Sequence, residues 1–174
     1  MREIGPDEAK AKYGVWTCHH EMSPGKELRF RLSQSDGTRY IRTERPVGAG
    51  SERQDAHYHK SVQETYIVQR GWIGFAEKVG DSNRLRIFKE GAIVTSQPGI
   101  HHNVFMPDGA VIHAVKHGAG DGEDKQPSEE FNEETHRLVG EVAVLRAAVA
   151  SIATENNRST SYSDEYRHFD TLIW

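Results

Sequence analysis

GSERQDAHYHKSVQETYIVQRG, residues 50–71, and GAIVTSQPGIHHNVFM, residues 91–106, decide how this chain folds. His57 and His59 stand two apart, so on a strand both project from one face, roughly 6–7 Å apart along it, while Tyr58 points the other way. Lys60-Ser61-Val62-Gln63 turns the chain, and Glu64 opens a second apolar strand, ETYIVQ. With Glu64 facing inward, Tyr66 and Val68 share its face. One turn therefore sets a carboxylate beside two imidazoles, and a later strand can bring a third from His102. Three neutral nitrogen donors and one carboxylate oxygen suit a divalent transition metal, Fe, Mn, Co, Ni, Zn or Cu, and serve Ca or Mg poorly. A lone strand histidine is ordinarily a surface or hydrogen-bonded residue; four candidate ligands in one small β-barrel outweigh that reading.

The same residues carry a resemblance to the cupins. The first cupin motif, G-x5-H-x-H-x3,4-E-x6-G, is matched by His57, His59, Glu64 and Gly71, with Gly50 one position further upstream than the motif has it. In the second, G-x5-P-x-G-x2-H-x3-N, Gly91, Gly99 and His102 fall in register. Gln97 stands in the proline place beside Pro98, and Met106 replaces the asparagine. The resemblance covers about residues 40–117 and implies an all-β fold, a double-stranded β-helix or jelly-roll-like barrel, with His57, His59, Glu64 and His102 holding a metal inside it. Alternation admits only one of His101 and His102 to that interior. Register with Gly99 favours His102, leaving His101 at the rim or surface.

Around the motifs the chain divides into an N-terminal extension with edge strands (1–39), the barrel (40–117), a linker (118–131) and a C-terminal helix and tail (132–174). Asp7 to Lys12 has the composition of a short helical turn. VWTCHHEM gathers Cys18, His19, His20 and Glu21, but neighbours on a strand diverge to opposite faces, so an edge strand or loop is the better reading than a second metal cluster. ELRFRLS sets Leu28, Phe30 and Leu32 against Arg29 and Arg31, a half-buried strand, and Ser35-Asp36-Gly37 turns it into RYIRTE. WIGFAEK, RLRIF, AIVTS, HHNVFM and AVIHAVKHG follow, separated by turns rich in glycine, as in an all-β barrel or sandwich. His113 shares parity with Val111 and Val115, read as the inward face, where its ordinary role is a hydrogen-bonded histidine of the wall.

GAGDGEDKQPS is a linker by composition. Ser128 or Asn132 then caps a helix whose Glu129, Glu130, Glu133 and Glu134 suit its positive end. Leu138, Val142, Leu145, Val149 and Ile152 form a heptad seam that docks on the barrel or on a second copy. Sheet edges that need covering favour a homodimer, and the terminal HFDTLIW is expected to dock in part.

A net charge of −4 without a basic run excludes the usual nucleic-acid partner. No stretch approaches membrane-span length, and MREIGPDEAKAKYG has no apolar signal-like segment. Cys18 is the single cysteine, so no intrachain disulfide forms and a cytoplasmic location is expected. The function that fits is a metal-dependent enzyme acting on a small-molecule substrate, such as a hydroxy-ketone, diol or sugar, chelated through adjacent oxygens and isomerised or epimerised. Tyr66 and His101 are the candidate catalytic side chains. Were the open positions to hold O2 beside the substrate, the chemistry would be dioxygenation. A metal-free sugar-modifying cupin using His57 or His59 as acid/base is a second class, against which Glu64 weighs. A non-catalytic metal- or ligand-binding module is a third, for which these residues show no reporting domain.

Overall fold

The computed structural model describes residues 5–22, 27–118, 124–137 and 172–173. The heptad seam and the terminal segment, Leu172–Ile173 excepted, lie outside the described residues. Among those that are described, no helix is long and apolar enough to cross a membrane.

Two antiparallel sheets make the body. The first runs, in spatial order, β1 (Val15–Met22), β2 (Glu27–Gln34), β3 (Arg39–Glu44), β11 (Val111–His117), β6 (Gln63–Arg70) and β9 (Ile93–Ser96). The second runs β12 (Lys125–Pro127), β5 (His57–His59), β10 (His102–Met106), β7 (Trp72–Val79), β8 (Ser82–Lys89) and β13 (Leu172–Ile173), with β4 (Glu52–Arg53) also paired to β10. The chain crosses between sheets from β3 to β4, β5 to β6, β6 to β7, β8 to β9, β9 to β10, β10 to β11 and β11 to β12, so pairs such as β3 and β11 or β5 and β10 are neighbours in space though distant in sequence. Between the sheets lies the core: Ile73, Phe75, Val104 and Met106 of the second meet Tyr66, Val68, Ile112 and Ala114 of the first, all buried. Met106, in the motif's asparagine place, is fully buried packing.

A helix, α1 (Pro6–Tyr13), precedes β1; it starts on Pro6 and stops at Gly14, whose left-handed φ of 66° closes the last turn. β1 is the edge strand expected of VWTCHHEM, paired to β2 on its described side. The second helix, α2 (Glu129–Arg137), lies on the outer face of the second sheet. Its Phe131 packs with Ala56, Ala76, Leu85 and Ile87, and Asn103 of β10 donates to Thr135 Oγ1 at 2.6 Å. That contact buries β10 on both faces and holds it from outside.

Three expectations change on folding. Part of the stretch read as linker is β12, which pairs with β5, and α2 begins at Glu129 inside it. Ser128 does precede that helix and its carbonyl accepts from Asn132 N–H, but its hydroxyl goes to His101. β2 alternates as expected, yet the arginine face is the one that lines the interior: Arg29 and Arg31 face a cavity while Leu28 is 46% exposed. In β11 the inward residues are Ile112, Ala114 and Lys116, not Val111, His113 and Val115. Both parities of β11 are apolar, so pattern alone does not choose between them; His113 faces outward, bonded to Tyr40 Oη at 2.6 Å and Gln69 Oε1 at 2.8 Å.

Candidate metal centre

β5 is three residues long, and its alternation buries His57 and His59 while Tyr58 turns out to stack on His101 at 4.5 Å. β6 begins four residues later and presents Glu64 and Tyr66 on the same side. His102 opens β10 beside them, because His102 pairs with His57 across the strands. The turn before it is tied to the first motif: Gly99, at φ 78°, donates its N–H to the carbonyl of His59 at 2.7 Å. A side chain other than glycine is strained in that conformation.

The result is a convergence. Glu64 Oε2 lies 3.4 Å from His57 Nε2, 3.1 Å from His59 Nε2 and 3.4 Å from His102 Nε2. All four residues are buried, none more than 5% exposed. His57, Glu64 and His102 offer atoms that all lie within 4.8 Å of one another. His59 stands to one side, because its Nε2 also meets Lys116 Nζ at 3.0 Å.

The other nitrogen of each ring explains why these atoms face inward. Nδ1 of His57 meets the carbonyl of Asp55 at 3.1 Å, that of His59 meets Asp124 Oδ2 at 2.6 Å, and that of His102 meets the carbonyl of Ile100 at 2.9 Å. Carbonyl and carboxylate oxygens only accept, so each Nδ1 carries the proton and each Nε2 is left with a bare lone pair. Bare nitrogens and a carboxylate oxygen at such distances repel one another unless a cation lies among them, and of these groups Lys116 Nζ reaches only His59 Nε2 and Glu64 Oε1, not His57 or His102. The donor set therefore fits a divalent transition metal, and the held Nδ1 atoms are the support such ligands need.

Charge states agree with this. Burial lowers the pKa of His57 to about 4, against the opposing pull of Glu64, so its ring is neutral at neutral pH. Burial works to raise Glu64, but its carboxyl is held well below the usual range by His102, His57 and His59, each of which donates to it whenever its Nε2 carries a proton, and by the charge of Lys116. Lys116 Nζ stands 3.1 Å from Glu64 Oε1 and partly balances that charge.

Of the two candidate catalytic side chains, Tyr66 is at the cluster. Its hydroxyl lies 3.3 Å from His102 Nε2, and burial, then the Glu64 charge, raises its pKa well above the ordinary value and keeps it a phenol. His101 is not brought there: it sits outside the barrel wall, with Nδ1 2.6 Å from Ser128 Oγ. Sequence reasoning missed Lys116 and Asp124. Asp124 lies in the stretch read as linker and is 4% exposed; besides His59 it accepts from Ser61 N–H at 2.8 Å and Ser61 Oγ at 2.6 Å. Gly118 permits this return, since a Cβ there would come within 3.0 Å of the Ser61 carbonyl. Asp124→Asn is expected to weaken metal binding about 10–100-fold, as loss of a ligand-orienting carboxylate does elsewhere. Chelator competition measures it, and unchanged affinity would show that His59 needs no such anchor.

His57 and Glu64 of the cluster, with Tyr66 and Lys116, reach the wall of a cavity of about 530 Å³, lined also by Arg29, Arg31, Arg39, Ile41, Thr43 and Ala114. Such a β-barrel, with three histidines and a carboxylate converging inside it, has the double-stranded β-helix fold of the cupins. No protein-family model and no curated relative matches the chain. Solved structures do. A variant of oxalate decarboxylase from Bacillus subtilis matches at 13% identity over 64% of this chain, with a TM-score of 0.53. Oxalate decarboxylase from the same organism at pH 4.6 matches at 10% over 73%, also at 0.53. An uncharacterised conserved protein with a double-stranded β-helix domain from Klebsiella pneumoniae matches at 18% over 74% of this chain and 97% of its own, at 0.49. The chain spans 30% and 39% of the lengths of the two oxalate decarboxylase chains, and the likeness is one of fold.

Proposed function

We propose that this chain is a metal-dependent enzyme that shifts a proton on a small polar metabolite bearing adjacent oxygens, an isomerisation or epimerisation. The observation that supports it is the meeting of three Nε2 atoms on Glu64 Oε2 within 3.4 Å, beside a polar cavity that His57 and Glu64 line. His57, His59, Glu64 and His102 would hold the ion. When bound, a divalent transition metal supplies Lewis acidity, polarising an oxygen that chelates it.

The remaining work falls to the chain. Phe75, fully buried and stacked on His102 at 5.7 Å, keeps water from that side of the cluster. Tyr66 is a phenol able to donate a hydrogen bond to a substrate oxygen, and Lys116 is a second proton-bearing group at the carboxylate. Two such groups beside the donor set favour proton transfer over oxygen insertion.

Purified protein is expected to carry about one transition-metal ion per chain by elemental analysis. A panel of hydroxy-ketones, aldoses and their acids, followed by NMR in D2O, should reveal solvent deuterium incorporated at carbon without O2 uptake. Turnover that consumes O2 stoichiometrically would replace the proposal with dioxygenation. Turnover by protein stripped of metal would replace it with acid/base chemistry by the histidines themselves.

A further inference from the structure

The cavity has an unusual second wall. Arg29 and Arg31 of β2, Arg39 of β3, Lys116 of β11 and Lys125 of β12 all line it. In β2 this inverts the ordinary economy of a strand, since the guanidinium groups turn inward while Leu28 is left 46% exposed. Taking charges out of water is costly unless they are paired, which bears on Arg29 and Lys116, both paired. Arg39 and Lys125 line the cavity but stay exposed, so their charge is available to a ligand.

The internal pairs do not use up this charge. Glu27 accepts from Arg29 at 2.7 Å, and Glu64 from Lys116 at 3.1 Å. Glu52, also at the cavity, is held by Arg45, a residue that does not line it. Arg39 and Lys125 form no salt bridge among the described residues. Asp55 also lines the cavity and its charge acts on Lys125, but Arg53 lines it as well, so positive charge is left over, and it lies at a definite place relative to the metal cluster. Register sets Arg39 opposite Lys116, and Lys116 opposite Glu64, in three adjacent strands. Strands lie about 4.8 Å apart, so the Arg39 backbone is ~10 Å from that of Glu64. On the other side Lys125 pairs with His59.

We infer that the cavity takes a small organic acid of about four to six carbons, its carboxylate lodged between Arg39 and Lys125 and its hydroxyl or carbonyl oxygens directed at His57, Glu64 and His102. A planar guanidinium and an ammonium on opposite sides recognise a carboxylate by charge and by hydrogen bonds, and they discriminate against a neutral polyol of equal size. This rests on the reading of the cavity as the reacting chamber, and it narrows the substrate from a polar metabolite to an acid.

Binding separates the two readings. D-glucuronate and D-glucose, and likewise malate and erythritol, are titrated by calorimetry into the full chain, once with zinc loaded and once after chelation. The acids are expected to bind at least tenfold more tightly than their neutral counterparts in both forms. The double variant Arg39→Gln, Lys125→Gln is expected to lose that preference while retaining zinc and a native circular dichroism spectrum; Arg39→Lys, Lys125→Arg should restore most of it. Equal affinity for acid and neutral sugar, or a double variant that keeps the preference, would overturn the inference and leave the metal centre standing. Acid preference in protein that never retains zinc would do the reverse.

Discussion

Glu64→Gln is expected to lose metal by more than about 100-fold in affinity, beyond the 10–100-fold that changes around a ligand cost. Glu64 is the one anion of the donor set, and its Oε2 is the atom on which all three Nε2 atoms converge. Glutamine keeps the shape and removes the charge. The substitution has a second effect in the metal-free protein, because Lys116 loses the carboxylate 3.1 Å away while remaining buried. Breaking a buried pair from one side costs about 3–5 kcal/mol, so the melting temperature of the chelated variant should fall as well. The double change Glu64→Gln, Lys116→Met removes the orphaned charge and should recover much of the stability but none of the metal. Elemental analysis with chelator competition reads the first effect and calorimetry the second. A Glu64→Gln protein holding metal as the wild type does would remove Glu64 from the ligand set.

Acid is the other large lever. In the folded, metal-free chain His57 stays neutral down to about 4, whereas in the unfolded chain it takes up a proton near 6.5. Between those values the unfolded state binds more protons, so stability falls as pH falls through that window. The contribution of His57 is thus present above about 6.5 and gone below about 4, a change of order 3 kcal/mol. Glu64, its carboxyl held well below the ordinary range, contributes stability that is present above 4.5 and lost in more acid solution, with the same sign. Calorimetry of chelated protein should therefore show a melting temperature level above about pH 7 and falling steadily from about 6.5 to 4. His57→Gln should flatten that segment. Metal retention should decline on the same side, since each Nε2 must be unprotonated to ligate. A wild-type curve level from about pH 6.5 to 4.5 would contradict the buried, neutral state of His57.

How much of this could be read from the chain alone follows from which interactions are local. Period-two alternation and one short turn are enough to put His57 and His59 on one face and Glu64 beside them, while the choice of His102 over His101 comes from register with the cupin motif. The alternation is a rule of backbone geometry over a few residues; the barrel with His102 inside it is legible through the motif's resemblance to the cupins. What alternation cannot state is which of a strand's two faces is buried. β2 carries leucines on one side and arginines on the other, and β11 is apolar on both. Only pairing in the order β2-β3-β11-β6 turns Arg29, Arg31 and Lys116 to the cavity. Asp124 is further still from local legibility. It reaches His59 Nδ1 from 65 positions away, through a glycine that passes against Ser61 and a three-residue strand laid on β5. The donor atoms were written in the motif; their tautomers, the lysine set among them and the charge of the chamber they face come from long-range register, which is decided by the packing of the two sheets as a whole.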